Sequence, residues 1–332
     1  MKKIFAVYFL TLIILISLFL LWHWPDFHQY PKPIFGVSFS RLRAEEMGLN
    51  WRDAYLKILD DLKVKKIRLA VHWHDLEPAP RKYFFDDLDW QVKEAEKRDA
   101  KLILAIGQRV PGWPECHFPD WAKDLTDIDR ETSVLTLLKK IVDRYKNYSV
   151  IEAWQVENEP FFKFFGLCPK PDRNFLEQEV ELVRTIDPYR PIIVSDSGEL
   201  GDWFSVAKQA DILGITIYRT VWSQYIKRYF NYFLPPAFYQ FKAYWVKKIS
   251  GLEKVIVVEF QAEPWSPRGS LVNIPIEEQF KSMSFDHWQK NLIYAQQTGF
   301  SEIYLWGAEW WFWLKEKMTD DRFWQAAKNL FK

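Results

Sequence analysis

Cysteine occurs only twice in 332 residues. That is too few for a disulfide-framed scaffold or a four-cysteine zinc site, so the fold must be held by its own core. An excess of one charge is also missing: 45 Lys+Arg face 44 Asp+Glu, which leaves no basic footprint for a nucleic acid. Glycine is scarce at 12. Neither a G-x-G-x-x-G nor a P-loop follows any strand-like run, which removes the usual dinucleotide and phosphate cradles, and no Ser/Pro-rich linker marks off an appended module. What is plentiful is apolar and aromatic: 48% hydrophobic and 18% aromatic residues, with 18 Trp. Such a chain buries a sizeable core and is not disordered. Its flat rings exceed what a core needs and suit stacking against ligands such as sugars.

Lys2 and Lys3 precede an uncharged apolar run from Ile4 to about Trp22, long enough to span a bilayer as a helix. A cleaved signal peptide is the rival reading, but Trp22-His23-Trp24-Pro25-Asp26-Phe27 offers no small-x-small cleavage site. Residues 1–30 are therefore expected to form a membrane anchor with a short tether. The basic end stays cytoplasmic, so everything after Trp24 lies outside in a single-pass arrangement. A tether this short keeps the rest near the bilayer and favours glycans of the cell's own envelope.

Residues 31–332 alternate short apolar runs with longer amphipathic stretches. The predicted strands are 35–38, 66–73, 102–107, 150–156, 191–195, 212–217, 255–259 and 303–306, short and apolar as buried parallel strands are. The predicted helices are 51–62, 88–98, 133–145, 174–186, 203–209, 238–249, 277–297 and 320–331. Eight strand–helix pairs point to a (β/α)8 TIM barrel, usually about 250 residues long, as one catalytic domain.

A barrel places its chemistry at the carboxyl ends of its strands, and here those ends carry carboxylates and tryptophans. The second runs into His72-Trp73-His74-Asp75-Leu76-Glu77, the third into Gln108-Arg109 and the fourth into Glu157-Asn158-Glu159-Pro160. The sixth ends in Tyr218-Arg219, the seventh in Glu259, and the eighth in Trp306-Gly307-Ala308-Glu309-Trp310-Trp311. Two glutamates on nearby strands are what double-displacement glycoside hydrolysis requires. By strand alternation Val255, Val257 and Glu259 share one face, as do Gly214, Thr216 and Tyr218, and as do Arg68, Ala70 and His72. Arg68 and the Tyr218 hydroxyl would hold Glu259 ionised as nucleophile, whereas a ring-walled Glu159 could stay protonated as general acid. Asn158 would then reach a sugar hydroxyl.

These residues resemble glycoside hydrolase clan A: Asn158-Glu159-Pro160 after the fourth strand, Glu259 after the seventh, Arg68 in the second, Tyr218 after the sixth and Trp306 after the eighth. The resemblance spans nearly all of residues 33 to 332. It implies a retaining β-glycosidase without cofactor, with Glu159 as acid/base and Glu259 as nucleophile, acting on a β-linked oligo- or polysaccharide. The region from Trp73 to Asp89 is similar to several clan families. Family 5 members usually carry a His after the third strand and another after the Asn-Glu pair; Gln108-Arg109 and Phe161-Phe162 stand there instead.

Other residues have plainer readings beside functional ones. Glu263 and Glu309 are rival carboxylates, several residues past their strands. Glu157 suits a structural partner for Arg68 or Arg109. His72 and His74 lack a third metal ligand and fit a pocket wall. Trp73, Trp113, Trp306, Trp310 and Trp311 are expected in carboxyl-end loops as a sugar platform, while Trp51, Trp90, Trp245 and Trp324 pack on helices. Cys116 and Cys168 fall in neighbouring rim loops and could pair outside the cytoplasm. The aromatic and basic stretch from Trp222 to Lys248 reads either as a membrane interface or as a long loop plus the sixth barrel helix. Nothing points to an obligate protein partner. A glycan-binding protein without turnover and a transglycosylase are the competing functions.

Overall fold

A computed structural model of the chain describes Thr11, residues 32–266 and residues 269–332. The expected membrane anchor and tether, residues 1–30, lie outside the described residues apart from Thr11. Among the described residues no helix is long and apolar enough to cross a membrane.

Eight parallel strands close into a barrel: β1 (Ile34–Phe39), β2 (Lys66–Ala70), β3 (Lys101–Ile106), β4 (Ile151–Val156), β5 (Ile192–Ser197), β6 (Ile212–Ile217), β9 (Lys254–Gln261) and β10 (Glu302–Trp306). Two further strands, β7 (Thr220–Ser223) and β8 (Arg228–Asn231), form an antiparallel hairpin outside it. The (β/α)8 expectation therefore holds. The hairpin occupies the start of the stretch expected as loop and helix, and it leaves Tyr225 and Phe233 exposed.

The outer layer follows the predicted helices, several of them fixed by side-chain caps. Short helix α1 (Arg41–Glu46) precedes α2 (Trp51–Asp60), which starts at Asn50, whose Oδ1 accepts from the amides of Arg52 and Asp53. The next are α3 (Trp73–Leu76), α4 (Asp86–Glu96), α5 (Asp127–Tyr145) capped by Thr126, and α6 (Arg173–Ile186) capped by Asp172. Such oxygens satisfy amides that lack intrahelical partners. After α7 (Phe204–Ala207) and α8 (Pro236–Ser250), the single helix expected over 277–297 is two, α9 (Ile276–Ser282) and α10 (Phe285–Gln297). Ser284 divides them by capping the second through the amide of His287. The chain closes with α11 (Ala308–Lys317) and α12 (Arg322–Leu330).

Three expectations need correction. Strand β2 stops at Ala70, because residues 73–76 turn into α3, closed by Glu77 N donating to Trp73 O at 2.9 Å. Residues 308–317 are helix α11 rather than a rim loop. Its residues from Ala308 to Leu314 are all buried, and a helix buried all round carries no apolar periodicity to betray it. The third concerns β9. The small cluster Ile103, Ala153, Ile193, Ile256, Val258 and Tyr304 fills the barrel interior, so Ile256 and Val258 point inward rather than Val255 and Val257. The ladder with β6 pairs Ile215 with Val257 and Thr216 with Glu259, skipping Val258. This bulge returns Glu259 to the inside, as bulges re-aim side chains beside active sites. The freed Val258 carbonyl accepts from Ser38 Oγ at 2.7 Å and from Arg68 Nη1 at 3.3 Å.

Candidate active site

Arg68, 1% exposed, organises the mouth of the barrel from below. Its Nη1 donates to Glu259 Oε1 at 2.7 Å, Nη2 to Asn158 Oδ1 at 2.9 Å and Nε to Gln155 Oε1 at 2.7 Å. Tyr218 Oη donates to the other Glu259 oxygen at 2.7 Å. Glu259 thus receives two donors, one of them cationic, an arrangement suited to a charged nucleophile.

Glu159 is held differently. Thr216 Oγ1 donates to its Oε1 at 2.6 Å, and its amide donates to Ser195 Oγ at 3.0 Å. Burial first, then the charges of Glu259 and Glu115, push its carboxyl well above the ordinary range. A protonated acid opposite an anion is the division of labour that two-carboxylate glycosidases use. Thr216 and Tyr218 stand two apart and so share one side of the chain at the end of β6; one holds Glu159 and the other Glu259.

The backbone around these groups is unusual. Glu157, Glu159 and Glu115 adopt φ of 60°, 47° and 73°, left-handed conformations that cost a non-glycine residue about 1–2 kcal/mol. Gly107 makes room for the carboxyl of the first: a Cβ there would lie 2.1 Å from Glu157 Oε1. Glu157 accepts from the amides of Gln108 at 2.7 Å and Arg109 at 2.9 Å and faces the buried carboxyl of Glu179. Its partners are therefore backbone amides, while Arg68 pairs with Glu259. The Arg109 guanidinium donates to the carbonyls of Phe162 and Phe165.

A third carboxyl enters the site from the loop after β3. Glu115 Oε2 accepts from Asn158 Nδ2 at 2.9 Å, its Oε1 accepts from the amide of Gly112 at 3.2 Å, and Arg109 Nε lies 3.8 Å away. Burial pushes its pKa up to about 7, the Arg109 charge working against that and the Glu259 charge adding to it. Cys116 and Cys168 are disulfide-bonded, Cα atoms 5.3 Å apart, and tie this loop to the one after β4. Aromatic rings continue along the rim: Trp113 meets Phe165 at 5.3 Å, Phe165 meets Trp265 at 5.4 Å, and Trp265 meets Tyr218 at 5.4 Å between centroids.

Of the predicted site residues, Glu159, Glu259, Arg68, Asn158 and Tyr218 converge. Trp306 lies at the mouth, its Nε1 donating to Glu263 Oε1 at 3.1 Å. Glu263 also pairs with Arg43 at 2.7 Å, and Glu309 accepts from the amide of Ser40 at 2.6 Å; both rival carboxylates are thereby engaged. His72 packs edge-on to His117 at 4.3 Å, and no hydrogen bond joins it to the carboxyl pair. Burial pushes His117 down to about 3, so its ring is uncharged at neutral pH.

Trp73, Trp310 and Trp311 are not platform residues. Each is 0% exposed, with no face left for a sugar. Trp73 donates to Glu77 Oε2 and packs edge-on against Trp121, Trp310 donates to Gln279 Oε1, and Trp311 to the Ala262 carbonyl. The functional groups missed in the sequence are Glu115, Gln155 and Ser195, together with the Thr216 hydroxyl. Gln155 and Ser195 sit at the inward positions of their strands, which the parity rule could have flagged. Nothing in the sequence near Glu115 signals its reach.

No family model matches the chain. An alignment 128 positions long, covering 33% of this chain and 30% of the other, shows 27% identity to probable mannan endo-1,4-beta-mannosidase A of Aspergillus niger. Among solved structures, a β-galactosidase from Rahnella sp. R3 aligns with a TM-score of 0.58 at 11% identity over 92% of this chain and 56% of its own. Gan42B, a family 42 β-galactosidase from G. stearothermophilus, gives 0.58 at 14% over 91% and 56%. A family 10 endo-β-1,4-xylanase from Gloeophyllum trabeum gives 0.55 at 15% over 83% and 85%. The chain thus spans just over half of the galactosidases and matches under a third of the mannosidase. At these identities the structural likeness is one of fold. The mannosidase-like stretch and the shared barrel are likenesses to glycosidases.

Proposed function

We propose that this protein is a retaining glycoside hydrolase that cleaves β-glycosidic bonds by double displacement, with Glu259 as nucleophile and Glu159 as acid/base. The observation that carries this reading is the unequal pair of environments on either side of β6: Glu259 between Arg68 and Tyr218, Glu159 on the hydroxyl of Thr216 alone. In the first step Glu259 attacks the anomeric carbon while Glu159 protonates the departing oxygen. In the second, Glu159 takes a proton from water, which displaces Glu259 with net retention. Trp306 would stack on the sugar and Asn158 would touch a hydroxyl.

The substrate class is a β-linked oligo- or polysaccharide, the kind of bond on which the mannosidase, galactosidase and xylanase relatives act by name. The place of action is outside the cytoplasm at a membrane. The run Ile4–Trp22 behind Lys2 and Lys3 supports this, as does the Cys116–Cys168 disulfide, a bond that persists in oxidising compartments.

The test is hydrolysis of a panel of aryl β-glycosides and β-linked oligosaccharides beside Glu159→Gln and Glu259→Gln. Turnover is expected to fall at least about a thousandfold in both, with the β-anomer as first product by NMR. An α-anomer as first product, or full activity in either variant, overturns the reading. A transglycosylase is the second reading, favoured by the rings from Trp113 to Tyr218 that line the rim where an acceptor would enter. Sugar-lengthened products would distinguish it.

A further inference from the structure

The turns that lead from each helix into the next strand all lie on one face of the barrel, the end away from the catalytic carboxyls. Charge is unevenly matched on that face. Lys66 and Lys254 neutralise Glu152 and Glu302 on the barrel floor. Arg98 pairs with Asp60 and Glu94, Lys328 with Asp61 and Arg190 with Asp187. Around these pairs stand Lys63, Lys65, Lys101, Lys208, Lys247 and Lys248, and among the described residues none of the six forms an ion pair. The unpaired acids there are fewer: Asp99 and Glu253 in the turns, with Glu96 at the end of α4. The whole chain is nearly neutral at +1, so the excess belongs to this face and is offset elsewhere. Helix dipoles favour lysines in a last turn, where Lys247 and Lys248 lie in α8. Lys101 opens β3 and Lys65 immediately precedes β2, positions for which no dipole calls.

Three large apolar side chains are exposed on the same face: Ile34 opening β1 at 54%, Tyr189 ahead of β5 at 92% and Ile249 in the last turn of α8 at 66%. Lysines interspersed with isolated aliphatic and aromatic side chains suit the headgroup layer of an anionic bilayer, where the charges meet phosphate and the apolar groups sink between. The chain also enters the barrel here. Only residues 23–33 separate Ile34 from the apolar run ending at Trp22, roughly 40 Å even when fully extended. The hairpin β7–β8, whose Tyr225 and Phe233 are exposed too, stands at the other end. It follows β6 directly, and Tyr229 Oη donates to Glu278 Oε1 at 3.1 Å near the start of α9.

We propose that the amino-end face of the barrel docks on a bilayer containing anionic phospholipid, so that the active-site mouth is turned away from the membrane. This rests on the membrane placement given above and adds an orientation to it: glycans are reached on the side away from the lipid.

The experiment uses the full chain with vesicles of phosphatidylcholine alone or mixed with phosphatidylglycerol. A fluorophore is placed on the amino-end face through Ser301→Cys or at the hairpin tip through Lys227→Cys, both exposed positions, and energy transfer to a headgroup-bound acceptor is measured. Transfer from position 301 is expected to exceed that from 227 on the anionic vesicles. It should fall at least about twofold when NaCl is raised from about 0.1 M to about 1 M, which shortens the Debye length from about 10 Å to about 3 Å. The combined variant Lys63→Gln, Lys208→Gln, Lys247→Gln and Lys248→Gln should give the same fall at low salt, with turnover of a small soluble glycoside unchanged. Tyr225→Ser with Phe233→Ser should change nothing. Transfer that ignores lipid charge, salt and the four lysines overturns the proposal, as does stronger transfer from 227 or a loss caused by the hairpin variant. Flotation of the same samples keeps the two readings apart. A chain that stays off phosphatidylcholine vesicles fails as an anchored protein, yet salt-sensitive flotation with the anionic vesicles would still support the docking face; no flotation with either overturns both.

Discussion

Arg68 and Glu259 form an ion pair inside the barrel mouth, Nη1 to Oε1 at 2.7 Å, with side chains 0% and 7% exposed. Removing one partner of a buried pair leaves the other charge without compensation, at a cost of about 3–5 kcal/mol. Arg68→Ala should therefore lower stability by that order in denaturant titration and abolish turnover. Arg68→Lys is the sharper case. A single ammonium does not reproduce a planar fork whose Nε, Nη1 and Nη2 reach Gln155, Glu259 and Asn158 at once. Turnover should stay low even where folding survives; an Arg68→Lys variant with wild-type kcat would show that the fork is dispensable.

The pH profile offers an independent handle on Glu159. An acid catalyst works only while protonated, so kcat/KM should fall as pH rises through its raised pKa. Burial sets most of that rise, and the charges of Glu259 and then Glu115 add to it. Glu115 titrates near 7 and is charged above that. Glu115→Gln removes this repulsion, lets Glu159 ionise earlier and should move the alkaline limb to lower pH. An alkaline limb that stays put, or moves up, would place the titrating acid elsewhere.

The Cys116–Cys168 bond closes a loop with a sequence separation of 52 and holds Glu115 against Asn158. Replacing both cysteines with serine should lower unfolding free energy by about 3–4 kcal/mol. It should also lower kcat/KM beyond what the stability change explains, because Glu115 is next in the chain. Calorimetry and kinetics on the same sample separate the two effects, and unchanged kinetics would show that the loop holds its shape unaided.

Much of this architecture was legible because buried parallel strands leave short, unbroken apolar runs. Ile212–Ile217 appears as predicted, and the other barrel strands differ mainly by a residue or two at their ends. The carboxyl-end rule then picked out Glu159, Glu259, Asn158 and Tyr218, and alternation along the second strand picked out Arg68. What stayed hidden has physical causes. Alternation along β9 misplaced Val257 and Val258, since a bulge leaves no mark in composition. Helix α11 was missed because its residues from Ala308 to Leu314 are buried on every side and leave no amphipathic period, and its tryptophans were consequently assigned to the rim. Glu115 was missed because a loop residue in a left-handed conformation has no periodicity. Its contact with Asn158, 43 positions away, is set by a disulfide and by tight packing around Gly166.

The facing carboxyls of Glu157 and Glu179 give the last prediction. Burial pushes Glu157 up to about 7 and Glu179 well above its ordinary value, with the charge of Glu157 adding to the latter. Glu179 Oε1 has no hydrogen-bond partner. A carboxyl whose folded pKa is raised contributes stability in full below its unfolded value, near 4.5, and loses it as pH rises through the folded value. The protein should thus weaken between about pH 5 and pH 8.5, and this pair should account for part of the loss. Glu179→Gln supplies an amide that donates to the Glu157 carboxylate without needing a proton. It should leave the melting temperature at pH 5 within about a degree and raise it by about 2–4 °C at pH 8.5, the shift that roughly 1 kcal/mol produces in a large domain. Parallel melting curves for the two proteins across that range would mean that the pair shares no proton and that the alkaline loss arises elsewhere.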